Sequence, residues 1–124
     1  MNPIVAKFIS TLLASRTQAH IFHWQVVDSS SYAEHKALQN YYEDIIDLID
    51  DFVESYQGKY EILVGFESPM NFREDRNPLI YFMGLCQYVE EVRKSLPQDS
   101  YLQNQVDEIV ALIQTTKYKL KNLH

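Results

Sequence analysis

One long interruption in an otherwise helical pattern constrains the fold of this chain most. Apolar residues recur every three or four positions on both sides of it, which predicts helices, and no stretch alternates as a strand would. The interruption lies between Gly58 and Asn77 and includes Gly65, Pro69 and the charged run REDR. Loops of this length are uncommon in a compact domain unless they have a task. We expect an irregular connection here, with one short helix around residues 60–64.

Four helices are predicted around this connection. Asparagine followed by proline is typical of a helix start, because the asparagine side chain caps the first turn and proline needs no hydrogen-bond acceptor there. Serine followed three residues later by Glu or Gln resembles a capping box. The predicted starts are Asn2, Ser31 with Glu34, Asn77, and Ser100 with Gln103. Helix two is expected to end at Gly58 and helix three at Leu96, before Pro97. The apolar stripe of helix two assigns three tyrosines to the core: Tyr41, Tyr42 and Tyr56.

The length of the connection suggests how the helices are arranged. Fully extended it could span up to roughly 66 Å, whereas helix two is only about 39 Å long. It can therefore cross the whole bundle and bring helix three parallel to helix two, although a slack loop between neighbouring ends is the alternative. One long crossover is typical of ferritin-like bundles. We predict a single all-α domain over residues 1–124, a ferritin-like four-helix bundle with a long crossover between helices two and three.

Composition narrows the class of protein. The 124 residues have a formal net charge of −6, which argues against non-specific nucleic-acid binding as the main role. One cysteine, Cys86, excludes an intrachain disulfide and a cysteine zinc site, and we expect it to be buried. No apolar run is long enough for a membrane helix and the first residues lack the form of a signal peptide, so a cytoplasmic protein is expected. Lys117, Lys119 and Lys121 suit a helix C-terminus, and a small contact patch for DNA or an acidic partner is the alternative.

Helix two carries a polar stripe with the chemistry of a metal site. At 100° per residue, His35, Gln39, Glu43, Asp50 and Glu54 share one face, with Asp47 at its edge. Histidine and carboxylate ligands suit Fe(II), Mn(II) or Zn(II). His35 and Asp50 are about 22 Å apart along one helix, too far to share an ion. Two copies packed antiparallel about a two-fold axis would bring them together, so a metal site here predicts a homo-oligomer.

These residues resemble the signature of the Dps proteins, or mini-ferritins. The pattern is His23–Trp24, then His35 twelve residues later, then Asp50 and Glu54. The resemblance implies a four-helix bundle that assembles into dimers or larger shells and oxidises iron at sites shared by two-fold-related subunits. It implies that His23 and His35 bind iron together with Asp50 and Glu54 of the partner subunit, with Trp24 beside the site.

The chain departs from that pattern in three respects. Gln39 stands where the family has an aspartate, and a neutral amide is a poorer iron ligand than a carboxylate. The lysine-rich N-terminal tail of many family members is absent, and the chain is shorter. The stretch from Tyr32 to Gly58 also resembles an uncharacterised family of short helical proteins encoded by tailed phages.

Two functions follow from these observations. The first is a ferritin-like iron-binding protein with a ferroxidase site whose metal ligands are His23, His35, Asp50 and Glu54. The second is a non-enzymatic ferritin-like scaffold with a degenerate site, which acts as an accessory protein for an unidentified protein partner. In the second case the histidines pack at a helix interface and the acids lie on a solvated face. No membrane association is expected, and nucleic-acid binding is the weakest alternative.

Overall fold

The described residues of the computed structural model, 2–26, 32–68 and 71–122, form four α-helices and contain no strand. The helices are α1 (Pro3–Gln25), α2 (Tyr32–Lys59), α3 (Pro78–Val92) and α4 (Ser100–Asn122). A 3₁₀ turn, Arg93–Ser95, continues α3 towards Leu96. The prediction of an all-α chain with four helices is confirmed.

Both asparagine–proline starts are confirmed. The Asn2 Oδ1 atom accepts a hydrogen bond from the backbone N–H of Val5 at 3.2 Å, and Asn77 Oδ1 accepts one from Ile80 at 3.3 Å. These caps satisfy backbone donors that have no partner within the helix. The predicted capping box at Ser31 lies outside the described residues.

Two local predictions were wrong, for the same physical reason. Ser100 is already helical, and the Gln103 side chain donates to the carbonyls of Arg93 and Pro97 at 3.1 Å each instead of capping α4. Residues 61–68 contain no helix. There the Leu63 N–H donates to the Gln57 side chain at 2.9 Å and so has no i−4 carbonyl partner. In both places a hydrogen bond between a side chain and a backbone group six or ten residues away replaces the local pattern.

Ring contacts and hydrogen bonds give the direction of each helix. Phe8 packs on Phe52 with ring centroids 5.4 Å apart, and Ser15 bonds Tyr41 at 2.7 Å, so α1 and α2 are antiparallel. The Gln105 side chain donates to Ser55 at 3.0 Å, which makes α2 and α4 antiparallel.

α3 begins at the same end of the bundle as α2. Its Phe82 packs on Tyr41 near the start of α2, and its Tyr81 packs on Phe22 near the end of α1. Arg93, after α3, ion-pairs with Asp107 near the start of α4. α2 and α3 are therefore parallel. Around the bundle, α1 packs on α2, α2 on α4, α4 on α3, and α3 on α1. We name the two ends by their turns: α1 and α4 finish at the α1–α2 end, and α2 and α3 finish at the α3–α4 end.

Large aromatic side chains fill the core between these helices. Those that are completely buried are Phe8, Phe22, Tyr41, Phe52, Tyr56 and Phe82. The hydroxyl of Tyr41 bonds Ser15 and that of Tyr56 donates to Glu61 at 2.8 Å, which compensates for removing both groups from water. Cys86 is buried, as predicted, whereas Tyr42 is only half-buried.

The connection between α2 and α3 runs along α1 for much of the length of the bundle. The Glu67 N–H donates to Ser10 Oγ at 2.8 Å. Further on, the Gln18 amide donates to the Arg73 carbonyl at 2.9 Å and accepts from the Arg73 N–H at 2.7 Å. Ser10 and Gln18 are both buried polar residues on α1. Their burial is explained by the backbone groups of the connection that they satisfy.

Replacement of Gln18 tests the two hydrogen bonds that attach the connection to α1. We expect Gln18→Ala to lower the free energy of unfolding by about 2 kcal/mol, because it removes a buried side chain that makes two hydrogen bonds to the Arg73 backbone. The connection should also become more sensitive to limited proteolysis between α2 and α3. Urea unfolding and protease mapping measure both effects, with the exposed Gln87→Ala as control. Equal stability and equal protease sensitivity of the two variants would contradict a stabilising role of the Gln18 bonds.

A second test concerns the α3–α4 end, where Lys59 and then Tyr60 donate hydrogen bonds to Asp99 and hold the pKa of its carboxyl below the ordinary 3.8. A lowered pKa stabilises the fold above the unfolded-state value, and this contribution is lost as the pH falls through the folded-state value. Stability should therefore fall from about pH 4 downward. Asp99→Asn should be less stable at pH 7 and depend less on pH in that window. Thermal unfolding across pH, with the exposed Asp51→Asn as control, measures the difference.

Candidate metal-binding site

The centre of the candidate site is a pair of histidines at the α1–α2 end. Because α1 and α2 are antiparallel, His23 near the end of α1 meets His35 near the start of α2, with ring centroids 3.6 Å apart. His23 Nδ1 lies 3.0 Å from the His35 carbonyl oxygen. A carbonyl oxygen can only accept, so Nδ1 donates this bond, and in the neutral ring Nε2 keeps a free lone pair. This is the arrangement in which metal-binding histidines are usually oriented.

The relative orientation of the two rings limits how they can bind metal. Their planes are inclined by 32°, close to parallel. A metal ion lies in the plane of the imidazole that binds it, at about 2.0–2.1 Å from the nitrogen. Two nearly parallel rings in contact cannot both meet that condition for one ion. His23 and His35 therefore provide two neighbouring nitrogen donors, and chelation of a single ion requires one ring to turn.

A third histidine packs behind this pair in an aromatic stack. The His20 ring lies between Tyr42, at 4.2 Å between centroids, and Trp24, at 4.3 Å. Burial, followed by the charges of His23 and Arg16, lowers the pKa of His20 below the ordinary 6.5. His20 is therefore neutral at pH 7. Tyr42 was predicted as a core residue; it is partly buried against the core and also contacts the rings of His20 and His23.

The acidic stripe of α2 lies on an exposed face. Glu43, Asp47, Asp50 and Glu54 are exposed, and the Gln39 amide donates to Glu43 at 2.9 Å. Asp50 and Glu54 follow His35 on the same helix, so within one chain they are about 22 Å or more away from it. The four predicted ligands thus form two separate groups, His23 with His35 and Asp50 with Glu54. Among residues 2–26, 32–68 and 71–122, no three His, Cys, Asp or Glu side chains of one chain converge on a metal position.

Comparison with known proteins gives one finding. A model of a family of unknown function (DUF5856) matches residues 23–120. The chain belongs to this family. No curated protein and no solved structure matches it. The part of this DUF5856 protein that the structure describes has no helix long and apolar enough to cross a membrane.

The span of the DUF5856 match is informative about the site. It begins at His23 and includes all four predicted ligands together with α2, α3 and α4. Most of α1, with His20, Ser10 and Gln18, lies before it. The sequence reasoning missed the stack of His20 on Tyr42. A usable signal was present, because Tyr42 lies seven residues, about two helical turns, after His35 and therefore on the same side of α2.

The single tryptophan provides a direct test of the stack. A protonated imidazole in contact with an indole quenches its fluorescence, so the emission of Trp24 should fall on acidification of the metal-free protein. Because the pKa of His20 is lowered, we expect the midpoint below pH 6.5. His20→Gln should remove the transition, whereas Tyr42→Phe, which keeps a stacking ring, should retain it. A midpoint above 6.5 would contradict the half-buried position of His20 between Trp24 and Tyr42.

Proposed function

We propose that this protein is a ferritin-like metal-binding protein that binds Fe(II) at sites shared by two copies of the chain and oxidises it. The observation that carries the proposal is the His23–His35 pair, in which the bond from His23 Nδ1 to a backbone carbonyl leaves Nε2 free. A histidine that only packs at a helix interface can make the same backbone bond, so the support for metal binding comes from the free Nε2 next to a second imidazole. The iron is a substrate in this proposal, and dissolved oxygen or peroxide is the oxidant.

The order of the helices supports the ferritin-like part of the proposal. In a simple up-down bundle α2 would neighbour α3, and α1 would neighbour α4. Here α2 packs on α4 and α1 on α3, while the connection follows α1 between the two ends. This neighbour order and the parallel α2 and α3 are the features that one long crossover produces.

The exposed acids support a site between copies. Asp50 and Glu54 have no hydrogen bond or ion pair with any described side chain, so both carboxylates are free to bind. Two α2 helices packed antiparallel about a two-fold axis would bring His35 towards Asp50 and Glu54 of the partner subunit. The resulting set of two imidazoles and two carboxylates suits Fe(II). The histidines would hold the ion and the carboxylates would compensate its charge.

Mixing two inactive variants tests the shared site. His35→Ala lacks a nitrogen ligand, and Asp50→Asn/Glu54→Gln lacks both carboxylates, so each alone should lose saturable Fe(II) oxidation in air. After joint refolding, half of the dimers combine one variant with the other, and each of these has one complete site of two. About a quarter of the wild-type activity should return. The absorbance of ferric iron, corrected for protein-free oxidation, is the measurement.

The matched control for this experiment is Asp47→Asn/Asp51→Asn, which removes the same charge from α2 and should keep full activity. Circular dichroism of each variant verifies that the helices are intact. Wild-type oxidation no faster than the protein-free control would contradict the ferroxidase proposal. If the wild type is active but mixing the two inactive variants restores no activity, the site lies within one chain.

A substitution at Gln39 is expected to strengthen metal binding and so tests the site by a gain of function. It lies one turn after His35, and its amide is bonded to Glu43. Gln39→Asp would place a carboxylate beside the histidine pair, so we expect Fe(II) to bind about tenfold more tightly and to be oxidised faster. Isothermal titration without oxygen measures the affinity. Gln87→Asp on α3 is the charge-matched control, and an equal effect of the two changes would argue against a site at His35.

A second candidate function is a non-enzymatic accessory scaffold. Two observations favour this function. The Gln39 amide is already bonded to Glu43, and the near-parallel rings of His23 and His35 cannot both bind one ion as they stand. On this alternative the bundle retains its shape and acts through contacts with another protein. Absence of Fe(II), Mn(II) and Zn(II) binding in wild type and Gln39→Asp alike would favour this function over the first.

A further inference from the structure

The two ends of the bundle differ in charge. The half nearer the α1–α2 end comprises residues 14–26, 32–45, 71–85 and 112–122, and in it seven Lys and Arg residues stand against five Asp and Glu. The half nearer the α3–α4 end comprises residues 2–13, 46–68 and 86–111, and there four stand against eleven. Among these residues the excess of negative charge therefore lies in the half nearer the α3–α4 end, and the other half is slightly basic. Such a distribution favours contacts between unlike ends.

The basic end has an apolar groove between the start of α3 and the end of α4. Leu79, Met83 and Tyr118 form its apolar surface, and Lys117 and Lys121 form its edge. Its volume is about 490 Å³, and Met83 and Tyr118 are 52% and 61% exposed. From residue 109 to the end of α4 there is no acidic residue. We call this surface the basic groove.

The acidic end has an exposed apolar surface of its own, in the first part of the connection. Ile62, Val64 and Phe66, at alternate positions, are 69%, 49% and 49% exposed, and Glu67 follows them. Leu63 between them is buried, and its N–H bond to Gln57 holds the segment in place. We call residues 62–67 the apolar segment. Exposed apolar side chains grouped in this way usually mark a contact surface.

We propose that the apolar segment of one copy docks in the basic groove of a second copy. The segment would cover the groove residues Met83 and Tyr118, and Glu67 would meet Lys117 or Lys121. A second copy is the occupant that the observations favour, because both surfaces belong to this chain, lie at opposite ends and have opposite charge. Since the two surfaces differ, the contact is head-to-tail, and it repeats until a ring closes or a filament grows.

This contact is independent of the proposed metal site. It uses neither the histidine pair nor Asp50 and Glu54, and it forms between ends of the bundle rather than along α2. Absence of iron oxidation would therefore not contradict the head-to-tail contact, and absence of that contact would not contradict the metal site. Duplex DNA could also bind the lysines, but its phosphates would make no use of the apolar residues that line the groove.

Two complementary variants test the contact. The groove variant, Lys117→Glu/Lys121→Glu, keeps the apolar segment, and the segment variant, Ile62→Asp/Phe66→Asp, keeps the basic groove. Metal-free wild type should grow in mass with concentration in sedimentation velocity at low salt, and less so at high salt. Each variant should lose this growth. In fluorescence anisotropy, the labelled groove variant should bind the unlabelled segment variant at least tenfold more tightly than either binds itself.

The matched control is Arg16→Glu/Lys36→Glu, which makes the same charge change in the same half of the bundle but outside the groove, and it should associate as the wild type does. A wild-type mass independent of concentration and salt would overturn the proposal. So would two variants that do not bind each other although circular dichroism shows both to be folded. Binding of duplex DNA by wild type, lost in the groove variant and without self-association, would assign the groove to a nucleic acid instead.

Discussion

The arrangement of the bundle depends on the attachment of the connection to α1. Ser10 and Gln18 are buried polar side chains, and each accepts a backbone N–H from the connection, at Glu67 and Arg73. A buried polar side chain without a partner would destabilise the fold, so the bonds of Ser10 and Gln18 favour the path that runs along α1. That path brings α3 to the end where α2 begins. The neighbour order, the two unlike ends and the free outer face of α2 all follow from it.

The same arrangement explains why the histidines meet while the acids remain apart. An antiparallel pair of helices joins the end of α1 to the start of α2, so His23 and His35 come into contact. Asp50 lies four turns further along α2, and no bend of that helix returns it to His35. The separation argues for either a shared site or no metal site. The protonation of His23 at Nδ1 favours the first, whereas the bond that occupies Gln39 favours the second.

The four helices, and the starts at Asn2 and Asn77, could be predicted from sequence because those signals are local. Asn2 and Asn77 cap helices through bonds that span three residues, and period-3.6 patterns place the core. The predictions that failed depended on side-chain bonds to backbone groups six or ten residues away. Gln103 bonds carbonyls before α4, and Leu63 bonds the side chain of Gln57, and neither contact has a signature in a single sequence. The pairing of His23 with His35 follows from the helical hairpin, but its tautomer and the position of His20 depend on packing between helices.

The family match shows which of the proposed contact surfaces lie in the same part of the sequence. Residues 23–120 include the histidine pair, the acidic stripe, the apolar segment and most of the basic groove, but neither Lys121 nor the earlier part of α1. The two proposed contacts therefore draw on the same portion of the chain and use different faces of it. A two-fold contact along α2 pairs like surfaces, and a head-to-tail contact joins unlike ends. Formed together, the two proposed contacts would build an extended or closed assembly from one chain. In such an assembly the acidic face of α2 would be covered by the metal-binding contact rather than by the basic groove.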